Sequence, residues 1–254
     1  MRSTARAEVI EHVQRKQTMN LSVPVETSWV GVPSTGGSFD AYLSLPPAGQ
    51  GPGLVLFQEI FGVNEHIRAV AEQYALDGFV VLAPDIFWRQ KRRIELGYEG
   101  ADHQQGMAMA GALKPEEVML DMRASVQALR ELPQASGRKV GAIGYCMGGR
   151  LAYSAAALTE LDAAVAYYGG GIHDQLHLAS GIKCPVQFHY AQRDDHIPPA
   201  AVERVRVAMA GKGAEVHTYP GAMHGFNCWA RASYHAQSAA LAHGRSLVFL
   251  SSLF

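Results

Sequence analysis

Residues 144 to 148 read Gly144-Tyr145-Cys146-Met147-Gly148 and directly follow the apolar run Lys139 to Ile143. A nucleophile on a tight strand-to-helix turn adopts strained dihedrals, and glycines two residues to either side remove the Cβ atoms that would strike neighbouring backbone. Gly-x-Cys-x-Gly in this position is therefore the frame of a nucleophile elbow with sulfur in place of a serine hydroxyl. A cysteine that only fills core is the plainer alternative, since free cysteines are often buried and this chain has 26 glycines. An elbow of this kind needs an acid and then a histidine further along the chain. Asp194 follows the strand-like Val186 to Tyr190, and His224 lies in Pro220-Gly221-Ala222-Met223-His224-Gly225-Phe226, after a last strand at Glu215 to Tyr219. The chemistry expected of Cys146, Asp194 and His224 is acyl transfer. The sulfur attacks a carbonyl once His224 has taken its proton, and Asp194 fixes the imidazole tautomer and supports the imidazolium. Asp195 is the neighbouring alternative for the acid, but the spacing to Pro198 favours Asp194.

These side chains can meet only if strands end along one edge. Trp29 to Val32 and Phe39 to Leu45 read as an opening antiparallel pair around the turn-rich Pro33 to Gly37. Gly53 to Phe57 reads as a buried strand, followed by a helix from Asn64 to Asp77 that Gly78 ends, and by a strand from Phe79 to Ala83. A polar stretch, Trp88 to Gly106, precedes a helix opened by Pro115 and running to Glu131. Lys139 to Ile143, Ala163 to Tyr168, Val186 to Tyr190 and Glu215 to Tyr219 read as strands, with helices over Met147 to Ala157, Pro199 to Ala210 and Ser233 to Leu250. This alternation predicts a doubly wound, mostly parallel α/β sheet flanked by helices. Gly169-Gly170-Gly171 lacks the spacing of a phosphate loop and reads as a turn.

Composition narrows the function further. With 254 residues, 48% of them hydrophobic and 18% charged, one α/β domain over 21–254 is expected, with 1–20 as a poorly ordered extension. A formal net charge of −1 without a block of like charges argues against nucleic-acid or membrane-surface binding and leaves small molecules as partners. The chain has no apolar run long enough to span a membrane, and Glu8, Glu11 and His12 interrupt any leader-like segment. Cys146, Cys184 and Cys228 are too few and too scattered for a disulfide framework. A cytoplasmic protein, monomeric or a small homo-oligomer, is expected. His173 and His177, four apart, read as solvated loop residues because no third ligand accompanies them.

Five motifs in order give the chain a resemblance from Trp29 to the C-terminus. They are Gln58-Glu59-Ile60-Phe61-Gly62, Ala83-Pro84-Asp85, Gly144-Tyr145-Cys146-Met147-Gly148-Gly149, Asp194-x-x-x-Pro198 and His224-Gly225-Phe226. In these it resembles the dienelactone hydrolases (carboxymethylenebutenolidases), a family of the α/β-hydrolase fold. The resemblance implies hydrolysis of an enol-lactone by a Cys-His-Asp triad through a thioester, without metal or cofactor. It also implies that Glu59, otherwise readable as a solvated charge at a strand end, faces the site and helps to form the thiolate of Cys146.

The backbone N–H of Met147, with a second from Ile60, is expected to hold the oxyanion. Arg89 lies where the family has an arginine for the substrate carboxylate, a loop arginine beside Lys91, Arg92 and Arg93 being the plainer alternative. Tyr145, Phe61 and Trp88 are expected to line the substrate site with it. Two further family positions, a tyrosine and a second arginine, are Arg93 and Cys228 here, with Tyr98 or Arg231 as substitutes from nearby. A general carboxylesterase or thioesterase on the same scaffold is a second reading, and a redox-responsive protein without turnover a third. The retained aspartate and histidine argue against the third.

Overall fold

The alternation of apolar runs with amphipathic helices produces one eight-stranded sheet in the computed structural model, which describes residues 25–254. The expected extension at 1–20 lies outside the described residues. The strands are β1 (Glu26–Ser34), β2 (Gly37–Leu45), β3 (Gly53–Phe57), β4 (Val80–Pro84), β5 (Val140–Tyr145), β6 (Ala163–Tyr167), β7 (Val186–Ala191) and β8 (Glu215–Tyr219). Their order across the sheet is β1-β2-β4-β3-β5-β6-β7-β8; β1 and β2 pair antiparallel, as do β2 and β4, and the rest are parallel. Strands β3 to β7 are buried at every position, as central parallel strands covered on both faces must be, whereas the edge strands β1 and β8 are partly exposed.

Six helices accompany the sheet among the described residues: α1 (Glu65–Leu76), α2 (Gly100–Gly111), α3 (Pro115–Glu131), α4 (Met147–Leu158), α5 (Pro199–Ala208) and α6 (Ala236–Leu250). Asn64 caps α1 by accepting from the Ile67 N–H at 3.2 Å, and Gly78, at φ +103°, lets the chain turn back into β4. Prolines open α3 and α5, where a missing N–H costs nothing. The core lies between the sheet and these helices, with Leu54, Leu56, Ile143, Val165 and Phe188 fully buried.

The largest departure from the sequence reading is α2, which begins inside the stretch read as polar loop. Its N-terminus has no side-chain cap and its twelve residues contain three glycines, so local propensity gives it little support. Tertiary packing supplies the reason instead: Gly106 lies against the Ile60 carbonyl so closely that a Cβ would come within 2.6 Å of the oxygen. Strand β1 starts three residues earlier than expected, over positions too exposed to show a hydrophobic pattern. Helix α6 starts later than Ser233, at Ala236, where His235 is the N-cap and its ring accepts from Ser238. Two short 3-10 turns, Ile172–Asp174 and Leu176–Gly181, occupy the connection after the glycine run.

Candidate active site

Because β3, β5, β7 and β8 are parallel, the loops after them share one edge of the sheet. From β3 the chain crosses to β4 on one side, and β5 pairs on its other side, so the direction of winding reverses between β3 and β5. That crevice is where open α/β sheets bind ligands. Phe57 pairs with Gly144 across it, placing Glu59 and Cys146, each two residues further on, on adjacent loops.

Cys146 has φ 56° and ψ −116°, a strained conformation for a residue with a side chain. The crowding around it explains the glycines. A Cβ on Gly144 would come within 2.0 Å of the Gly148 carbonyl oxygen, and one on Gly148 within 2.1 Å of that of Phe57. The Cys146 N–H donates to the Tyr167 carbonyl at 3.0 Å, and its own carbonyl accepts from Gly149 and Arg150, opening α4 directly after the sulfur. The Met147 N–H is then a first-turn amide without an intrahelical partner.

His224 Nδ1 lies 2.9 Å from Asp194 Oδ2. The other oxygen of this buried carboxylate accepts from the His196 and Ile197 N–H groups at 2.9 and 3.1 Å, so Asp194 is held from both sides. Asp195, the neighbouring candidate for the acid, makes no such contact with His224. Burial disfavours the charged imidazole, but the Cys146 sulfur and the Asp194 carboxylate outweigh it and raise the pKa of His224 to about 10.

Glu59 is buried at 1% exposure. Its Oε1 lies 3.3 Å from Arg231 Nη1, and its Oε2 has no partner. Burial raises its pKa, against the opposing pull of Arg231 and His224. Among the described residues no hydrogen bond joins Glu59 to Cys146; its fixed neighbour is Arg231, which also lies over the Phe61 and Tyr98 rings. Gly225, at φ +77°, makes room for that guanidinium, since a Cβ there would come within 2.6 Å of Arg231 Nη1.

A cavity of about 420 Å³ opens over the sulfur, lined by Ile60, Phe61, Cys146, Met147, His224 and Arg231, with His103, Met107, Ala110 and Gly111 from α2, Arg150 from α4, and Gly170 and His196. Three of the expected substrate contacts are absent from it. The Arg89 guanidinium is bound by the buried carboxylate of Asp121, donates to the Thr35 carbonyl at 3.0 Å and covers the Trp88 ring. Trp88 is likewise occupied, donating to Asp121 at 2.9 Å and packing near Phe39. Tyr145 points into the core, 4.7 Å from Tyr167 between ring centres, because side chains alternate along β5 and its neighbour Cys146 takes the edge. Phe61 does line the cavity.

At the two altered family positions, Arg93 pairs with Asp40 at 2.8 Å and Cys228 is fully buried. Of the two substitutes, Arg231 reaches the cavity, whereas Tyr98 packs on Phe61 and lines a neighbouring cavity. Sequence reasoning missed Arg150, although a residue four beyond the nucleophile on its helix shares its face. It missed His103 and Met107 because α2 was not foreseen.

A thiol elbow with an Asp–His pair at the switch point of this sheet defines an α/β-hydrolase. The chain belongs to the dienelactone hydrolase family, whose model matches residues 39–254. It is 33% identical over 220 residues to a carboxymethylenebutenolidase of Pseudomonas putida, covering 86% of this chain and 93% of the relative. It is 31% identical over 221 residues to carboxymethylenebutenolidase 1 of Cupriavidus pinatubonensis, covering 86% and 94%. A crystal structure from Klebsiella pneumoniae, provisionally named a dienelactone hydrolase, superposes with a TM-score of 0.81 at 30% identity, covering 90% of this chain and 99% of that one. The protein is accordingly a hydrolase. No helix among the described residues is long and apolar enough to cross a membrane.

Proposed function

We propose that the protein opens an enol-lactone of the dienelactone type through a thioester on Cys146, with His224 and Asp194 completing the triad. The observation that carries this reading is the convergence of the strained Cys146 and the Asp194-held His224 on one cavity. Cys146 Sγ attacks the lactone carbonyl while His224 holds the proton. The developing oxyanion is received by the N–H groups of Met147 and Ile60, and both residues line the cavity. Collapse breaks the ring C–O bond, His224 gives its proton to the enolate oxygen, and the opened chain stays attached as a thioester. Acylation consumes the sulfur's charge, one of the influences that raise the His224 pKa, so the imidazole can then deprotonate the water that releases the acid. An enolate leaves more readily than an alkoxide, which suits a thiol nucleophile that is itself easily expelled.

Arg231 takes the role for which Arg89 was expected and receives a substrate carboxylate. Binding of that anion would compete with Glu59 for the guanidinium and free the Glu59 carboxylate to act on the cysteine. A general carboxylesterase is the second reading, favoured by the apolar lining from Ile60, Phe61, Met107 and Met147. Steady-state hydrolysis of cis- and trans-dienelactone, run beside a short-chain chromogenic ester, separates the two. The lactones should be the better substrates, and Arg231→Gln should raise their KM by about tenfold or more while moving that of the neutral ester little, as loss of a charged hydrogen bond would. Inert lactones with rapid ester cleavage would establish the esterase instead.

A further inference from the structure

Beside Glu59 lie two side chains, His66 and Cys228, that the hydrolytic scheme does not use. Glu59, His66 and Cys228 are all buried, and one ligand atom from each lies within 4.8 Å of the others. His66, on the first turn of α1, is 3% exposed, and neither of its ring nitrogens has a hydrogen-bond partner. Glu59 Oε2 also has none. Buried polar atoms nearly always find partners, so three orphaned acceptor or donor atoms in one place, beside a thiol, require an explanation.

We propose that Glu59, His66 and Cys228 bind a thiophilic divalent cation, with zinc the best match, and that its binding shuts the active site down by sequestering Glu59. Thiolate, imidazole and carboxylate are the donors zinc prefers, and three protein ligands leave a fourth place for water. Zinc–ligand distances of about 2.0–2.3 Å require donors roughly 3.3–3.8 Å apart in a tetrahedron, so atoms now within 4.8 Å of one another must draw in by at most about 1.0–1.5 Å. Zinc takes cysteine as the thiolate, so ligation releases the Cys228 proton to solvent. Arg231 opposes a cation here, but it touches only Oε1 and leaves Oε2 to the metal. A cavity of about 500 Å³, separate from that over Cys146, reaches His66 and carries on its walls Glu65 and Glu95, the latter paired with Arg68 at 2.7 Å.

The inhibitory consequence rests on the proposed role of Glu59; the metal site itself does not, and the two can be tested apart. Cobalt(II) titrated into chelator-treated protein should produce a thiolate-to-cobalt charge-transfer band that saturates at one ion per chain. The band should persist in Cys146→Ala, vanish in Cys228→Ala and, in His66→Gln, require at least about tenfold more metal, since even changes behind the ligands cost that much. A band that is absent from Cys146→Ala, or that survives Cys228→Ala, would overturn the site; if Cys228→Ala does not fold, an unchanged titration in His66→Gln does the same. With the band established, one equivalent of zinc should inhibit ester or lactone hydrolysis reversibly in the wild-type enzyme and not in His66→Gln at the same concentration. Undiminished turnover by zinc-saturated wild-type enzyme would retain the site and remove its link to Glu59.

Discussion

His224 carries the charge balance of the site. Its ring is buried yet has its pKa raised to about 10, because the Cys146 sulfur and Asp194 together outweigh desolvation. In Cys146→Ala one of these influences is gone, so the ring should titrate well below about 10; a histidine NMR titration reads this directly, and an unshifted ring would show that the sulfur is not its partner. The same shift bears on stability. A histidine whose folded pKa exceeds its unfolded value of about 6.5 stabilises the fold fully below that pH, and the contribution is lost as pH rises through about 10. The Cys146, Asp194 and His224 set was legible in the sequence because chain order and glycine framing belong to the residues themselves. The substrate contacts were not, since Arg89 and Trp88 are committed to Asp121, a partner 32 and 33 positions away that no local pattern reveals.

At the scale of elements, the elbow between β5 and α4 is where sequence and structure agree most closely. Gly148 packs against the backbone after β3 with no space for a methyl group, and the contacted atoms, the Phe57 and Gln58 carbonyls, cannot swing aside. Gly148→Ala should cost about 1–3 kcal/mol, lowering Tm by about 2–12 °C. A thermal melt that matches wild type would contradict the close approach. The strands and the helices α1, α3, α4 and α5 were readable because burial periodicity and their proline or glycine punctuation coincide. Helix α2 was hidden because its sequence is polar and glycine-bearing, and its fit depends on Gly106 meeting Ile60 across the fold. It supplies one wall of the cavity over Cys146 through His103, Met107, Ala110 and Gly111, so the shape of that cavity was the feature least visible beforehand.

Across the whole molecule, the reversal of winding between β3 and β5 gathers residues spread from Glu59 to Arg231 onto one edge, and the ties that brace the sheet lie apart from it. One such tie is Asp121 on α3, which binds Arg89, Trp88 and Ser34 and so joins the helix to the β1 turn and the loop after β4. Arg89→Gln should therefore lower stability by about 1–3 kcal/mol in denaturant unfolding and leave KM unchanged, the reverse of what a carboxylate receptor would show. Every step of the proposed reaction depends on the sulfur of Cys146. Its most direct test is steady-state hydrolysis of trans-dienelactone by the wild-type protein and by folded Cys146→Ala at equal concentration. Turnover is expected in the first and a rate no higher than the uncatalysed background in the second; comparable turnover by both would show that Cys146 is not the nucleophile.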